Sequence, residues 1–267
     1  MRPTKSPIAN QQWLLPREHG AYGQLGFPLV CALALGRIQS TALLLVVSIV
    51  ALFVAHEPLL VLRGERGRRR LGAEGMRARW QLAMWLGLAG SAGLTALALS
   101  PSTVSQAAAL PATLGLAVTV LLVRREEKTT LGEVLVALAL ATTSLPVAAA
   151  NGADSRSALS VALIWGAVSS VHVLVVRGLL ARGRTDGSAR YAARVTGLAV
   201  LGFALAAFAV ARDALSWVAL VAIVPATVVA CVFFVWPPSL RKLKTIGWTL
   251  MGSSAVTLVV LTALGRT

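Results

Sequence analysis

The chain has 267 residues, of which 57% are hydrophobic and only 13% charged, with a mean hydropathy of +0.76. These values exclude an ordinary soluble globular domain. The formal charge of +15 therefore has to be read at a membrane surface rather than along a nucleic acid. A soluble all-α core would need helices with a polar face at helical period, and the apolar segments lack one.

A helix that crosses the hydrocarbon core takes roughly 20 mainly apolar residues. Nine segments meet or approach that length: 16–35, 41–62, 80–99, 106–123, 131–150, 158–180, 192–211, 214–235 and 245–264. The predicted fold class is an all-α, polytopic transmembrane bundle of about nine helices, one integral membrane domain over 1–267. The first segment spans only if its helix starts near Pro16, a residue tolerated in the first turn. Arg17, Glu18 and His19 then lie inside that turn at the membrane edge, and Pro28 kinks the helix. The stretch 1–15 has no apolar core of the length a signal peptide needs.

The basic residues orient the bundle. With the amino terminus in the cytoplasm, the N-terminal arm and the loops after segments two, four, six and eight hold 21 of the 25 Lys and Arg. The opposite side keeps Arg37, Arg156, Arg212 and Arg266. Such a bias predicts a bacterial-type inner (plasma) membrane protein with its carboxy terminus outside. The loop 63–79 alone carries seven arginines, suited to anionic lipid headgroups. It is short, tethered at both ends and without interleaved aromatics, which argues against RNA.

Trp13, Trp80, Trp236 and Trp248 fall near the cytoplasmic ends and Trp217 near the outer end, as an aromatic belt requires. Trp85 and Trp165 lie deeper, as packing residues. Cys31 and Cys231 are expected at different depths, out of disulfide reach, as buried apolar thiols.

Split near residue 125, the halves echo one another. His56, Glu57 and Arg63 close segment two; His172 and Arg177 close segment six; Glu18 and Glu133 open segments one and five. The echo suggests two four-helix halves, 16–125 and 131–244, with a ninth helix at 245–264. Positive-inside bias by itself explains the arginines of this echo, but not the histidines. Ionisable residues inside a membrane are costly and mark functional sites. Arginines near a helix end can snorkel to the headgroups, whereas the shorter His56 and His172 are expected to face the bundle interior.

The candidate ligand-binding set is therefore Arg17, Glu18, His19, His56, Glu57, Arg63, Glu133, His172 and Arg177. These nine are expected around a polar cavity at the cytoplasmic face. Arginine selects phosphate or carboxylate by bidentate contact, so the ligand expected is anionic or amphipathic. No single helix carries metal-ligand spacing, and no metal site is assigned. Haem ligation by a histidine pair is open to the chain, although no c-type attachment motif is present. No nucleophile signature is recognisable, and Gly87, Gly90 and Gly93 form a small-residue stripe typical of close helix contact.

The opening Leu15-Pro16-Arg17-Glu18-His19-Gly20-Ala21-Tyr22-Gly23 resembles the start of YwiC-like membrane proteins. The Glu133 segment, the Val171-His172 to Arg177 segment and the closing Lys242, Lys244, Gly247 and Trp248 are similar as well. The resemblance implies a membrane topology and no assigned reaction.

The layout of nine segments in two halves also resembles UbiA-type prenyltransferases. In those enzymes, Asp-rich motifs after helices two and six hold magnesium and a prenyl diphosphate. Here the loop after segment two has Glu65 and Glu74 but no aspartate, and the one after segment six has only Asp186. A magnesium–diphosphate site is therefore not supported. The leading functional reading is a binder of an anionic or amphipathic ligand. The alternatives are a small-anion transporter or permease, a structural or assembly subunit of a membrane complex, and, less favoured, a divergent prenyltransferase-like enzyme. The sequence does not fix an oligomeric state.

Overall fold

The computed structural model describes residues 13–16, 19–182, 217–239 and 242–264. The described residues are helical in long runs with short connections: α1 His19–Ala34, α2 Ser40–Leu62, α3 Arg68–Leu99, α4 Ser102–Arg124, α5 Thr130–Thr142, α6 Ser144–Ala150, α7 Ser155–Arg182, α8 Trp217–Val235 and α9 Leu243–Leu264. Among the described residues, seven stretches are long and apolar enough to cross a membrane, with α5 and α6 together counting as one. Their outward residues are apolar as well. Leu86, Leu88 and Leu94 of α3, Leu116 of α4 and Val224 and Val228 of α8 are all exposed, a surface suited to lipid and not to water. The protein is a multi-pass, all-helical membrane protein.

Several boundaries differ from the sequence reading. The first helix begins at His19, with Pro16 outside it, and has 16 residues, or about 24 Å at the α-helical rise. That is short of the roughly 30 Å hydrocarbon thickness. Pro28 does lie within it. The arginine-rich stretch expected as a loop is mostly helix: α3 runs 32 residues from Arg68. Arginine is a good helix former, and only 63–67 is needed for the turn. Gly64 (φ 73°) and Gly67 (φ 98°) supply the left-handed backbone that closes this elbow. The segment 131–150 is broken at Thr143 into α5 and α6. The segment 192–211 lies outside the described residues. Cys231 is exposed, whereas Cys31 is buried.

The chain forms two compact units. One is drawn from Met1–Glu18 and Val47–Leu94, the other from His19–Val46 and Thr95–Thr267. In the first, the inner part of α2 packs on α3. Ser48 Oγ donates to the Ala89 carbonyl at 2.8 Å, and residues 13–16 lie along the hairpin. Leu14 N–H donates to Gln81 Oε1 at 3.0 Å, Leu14 clusters with Val61 and Ala78, and Trp13 meets the half-buried Trp85 at 5.9 Å between ring centroids. Trp13, Trp80, Trp217, Trp236 and Trp248 are all exposed, as an interfacial belt requires.

In the second unit α7 is the central helix, touching α1, α5, α6, α8 and α9. Trp165, fully buried in α7, stacks on Phe27 of α1 at 5.7 Å. Val161 to Val168 of α7 cluster with Val218 to Ala226 of α8 and Leu261 of α9. Val171 to Leu179 cluster with Val229 to Phe233 and with Ile246 and Leu250. Early residues thus meet early residues in α7 and α8, so these helices run parallel, and α9 runs against both. The far end of α1 is held by Asn151 at the close of α6, whose amide donates to the Ala32 and Leu33 carbonyls, both at 3.3 Å. Its Oδ1 accepts the Gln39 N–H at 3.1 Å. Only glycine fits at 36, since a Cβ there would lie 2.3 Å from the Asn151 carbonyl oxygen.

Candidate functional site

The strongest concentration of charge is the elbow between α2 and α3, within the first unit. Pro58 follows Glu57 near the end of α2, and Glu57 is completely buried there. Its carboxylate accepts from Arg66 Nη2 at 2.5 Å and from Arg70 Nη1 at 3.4 Å. The two arginine side chains keep 21% and 19% exposure. Arg70 also donates from Nε to Glu74 at 2.7 Å, and Arg63 Nε to Glu65 at 2.9 Å.

Residues 70, 74, 78 and 81 recur at the spacing of one helix face, and this face of α3 turns inward with Arg70, Glu74, Ala78 and Gln81. The other side carries Arg68, Arg69 and Arg79, all exposed and without a carboxylate partner among the described residues. Arg66 Nε is buried and finds no acceptor there either. Glu57, Glu65 and Glu74 are all engaged by arginines.

A second charged pair lies in the second unit. Arg177 of α7 donates through Nε to Glu133 Oε2 at 2.6 Å, and through Nη2 to Glu133 Oε1 and to the Lys128 carbonyl. Glu133 is in the first turn of α5, capped by Thr129, whose Oγ1 accepts the Gly132 N–H at 3.0 Å. A carboxylate is favoured at this end of a helix. One and a half turns before Arg177, His172 is buried, with Nε2 at 3.0 Å from Ser253 Oγ of α9. Ser253 in turn donates to the Leu250 carbonyl at 2.8 Å.

The expected set is thus distributed over the two units. Glu57 and Arg63 belong to the elbow, where Arg63 pairs with Glu65 and Glu57 with Arg66 and Arg70. Glu133 and Arg177 form their own ion pair, and His172 joins Ser253. His56 is exposed, against the expectation that it faces the interior; the next residue, Glu57, takes that place. His19 opens α1, while Arg17 and Glu18 lie outside the described residues. His172 is buried on a serine, whereas His56 is exposed.

The sequence reading passed over Arg66, Arg70, Gln81, Asn151 and Ser253. In the sequence Arg66 and Arg70 stand only as part of a basic run. The signal that could have singled them out is their distance from Glu57, which a tight turn after Leu62 brings within reach. Asn151 had a signal too, as a lone amide before glycine at the end of an alanine run.

A family model described as YwiC-like protein matches residues 15–150. No curated protein matches the chain, and no solved structure does. The matched stretch covers just over half of the sequence and includes both the elbow and Glu133, and on that ground the chain belongs to the YwiC-like family.

Proposed function

We propose that this protein binds an anionic or amphipathic ligand at the α2–α3 elbow. We place it in a bacterial-type inner membrane with the elbow and the amino terminus on the cytoplasmic side and the carboxy terminus outside. The observation that carries the reading is the division of the arginines. Glu57 holds Arg66 and Arg70 in place from below, while Arg68, Arg69 and Arg79 stand exposed with no carboxylate partner among the described residues. Arg68 and Arg69 occupy the first turn of α3, where the helix dipole disfavours cations and favours an anion. A phosphate or carboxylate placed there relieves both the mutual repulsion and the dipole. Anionic lipid headgroups are the nearest source of such groups.

Native mass spectrometry of the protein released from bilayers of mixed composition tests this. Wild type is expected to retain anionic lipid in preference to phosphatidylcholine, and a triple variant with Arg68, Arg69 and Arg79 changed to Gln to lose the preference. Equal retention of both lipids by wild type would remove the reading.

A second reading, transport of a small anion, draws on the break within the α5–α6 span. Interrupted spanning helices line the substrate sites of many transporters.

A further inference from the structure

We propose that the Glu133–Arg177 ion pair is an anion-displaceable latch. It fastens α5 to α7, and an external carboxylate or phosphate opens it by taking the place of Glu133 on the Arg177 guanidinium. This does not depend on the reading of the α2–α3 elbow.

Three observations converge on it. Arg177 presents Nε and Nη2 side by side to the two oxygens of Glu133, which is the geometry by which arginine recognises any carboxylate or phosphate. The internal carboxylate thus occupies a complete oxyanion receptor. Both side chains are partly exposed, Glu133 at 40% and Arg177 at 24%. A partly exposed pair of this kind is weak enough to be exchanged.

The span carrying Glu133 is interrupted at Thr143, between α5 and α6. Between α5 and α6, Thr143 N–H turns to the Leu140 carbonyl at 3.3 Å. The hydroxyls of Thr142, Thr143 and Ser144 donate to the carbonyls of Leu138, Leu140 and Ala141 at 3.0, 2.6 and 2.7 Å. Pro146 has no N–H to continue the ladder. Side-chain hydroxyls therefore satisfy carbonyls around the break, as an interrupted helix inside a membrane requires. Such a break is a defined site for bending.

The two sides of the break differ in burial. Six of the seven residues of α6 are buried, and Asn151 ties its end to Ala32, Leu33 and Gln39. In α5 only Gly132, Ala137, Ala141 and Thr142 are buried. Rotation about Thr143 moves α5 along α7, the helix it packs on most. The latch residue sits in the first turn of α5, the end farthest from Thr143, where a small rotation gives the largest displacement. Arg177 Nη2 also donates to the Lys128 carbonyl, in the turn before α5.

The test is a spin-label distance between Leu131→Cys on α5 and Ala181→Cys on α7, in a Cys31→Ala, Cys231→Ser background of the full chain. Sodium phosphate and sodium acetate are compared with sodium chloride at constant ionic strength, since chloride cannot make the bidentate contact. Phosphate or acetate is expected to shift wild type to longer distances. Glu133→Gln is expected to show the long distance without any added anion. Arg177→Lys, which keeps the charge but not the fork, is expected to give no anion response.

An unchanged distance in Glu133→Gln would overturn the latch. A long distance in that variant with no response of wild type to either anion would overturn displacement by an oxyanion. Should Glu133→Gln fail to purify as a monodisperse species, Glu133→Asp reads the same release through a carboxylate one methylene shorter.

Discussion

The Glu57 carboxylate, removed from solvent in the last turns of α2, receives Arg66 Nη2 at 2.5 Å from across the elbow. Removing one partner of a buried pair leaves the other uncompensated, at a cost of about 3 kcal/mol or more. Glu57→Ala is expected near the lower end of that scale, because Arg66 and Arg70 are partly exposed and can rehydrate. The apparent melting temperature in detergent should fall by several degrees, and by far less for His56→Ala at the exposed neighbouring position. Equal losses for the two variants would contradict this assignment of the inward position.

At the junction of α1 and α2, Gly36 approaches the Asn151 backbone closely enough that an added methyl would lie 2.3 Å from its carbonyl oxygen. Gly36→Ala is expected to destabilise by about 1–3 kcal/mol through overpacking. Asn151→Ala leaves two carbonyls and the Gln39 N–H without this partner, with a loss of similar size. Thermal unfolding of the two single variants and the double variant checks the coupling. Both act on one clamp, so the double loss should be smaller than the sum.

Asp154, before α7, accepts hydrogen bonds from the Ser157 side chain and backbone N–H, which hold its carboxyl below the ordinary aspartate range. A depressed pKa stabilises the start of the helix at pH values above about 3.9, the unfolded value. That contribution disappears as pH falls through the lower folded value. The protection factor of the Ser157 amide in hydrogen exchange should therefore decline only in strong acid. In Asp154→Ala it should be reduced and flat across the same range.

The parallel course of α7 and α8 places the end of one and the start of the other on opposite sides of the membrane. Single cysteines at Glu65 and Arg182 should react with a membrane-impermeant maleimide only from the cytoplasmic side. Cysteines at Gly152 and Trp217 should react only from outside. Labelling of Arg182→Cys and Trp217→Cys from the same side would contradict the topology.

The apolar runs made the spanning helices legible, because length and composition alone set what crosses a bilayer. Which side of each helix faces inward was not legible. His56 and Glu57 are adjacent, about 100° apart on the helix. The inward choice was made by Arg66 and Arg70, whose reach depends on an elbow that the charge pattern presented as a loop. His172 was recognised as a costly intramembrane residue, but Ser253 stands among many serines and threonines in an apolar context, and nothing local distinguishes it. The break at Thr143 was hidden for the same reason. Thr-Thr-Ser-Leu-Pro reads as ordinary small-residue packing until the hydroxyls are seen to satisfy carbonyls around it.

Anion recognition by the outward arginines of α3 is tested most directly by a lipid titration followed by thermal unfolding. Detergent-solubilised wild type and the Arg68, Arg69, Arg79 to Gln variant are titrated with phosphatidylglycerol and, separately, phosphatidylcholine. Ligand that binds the folded state raises its apparent stability with concentration. A saturable upward shift with phosphatidylglycerol alone, lost in the triple variant, is the predicted result. The same shift with both lipids, or one undiminished in the variant, would contradict it.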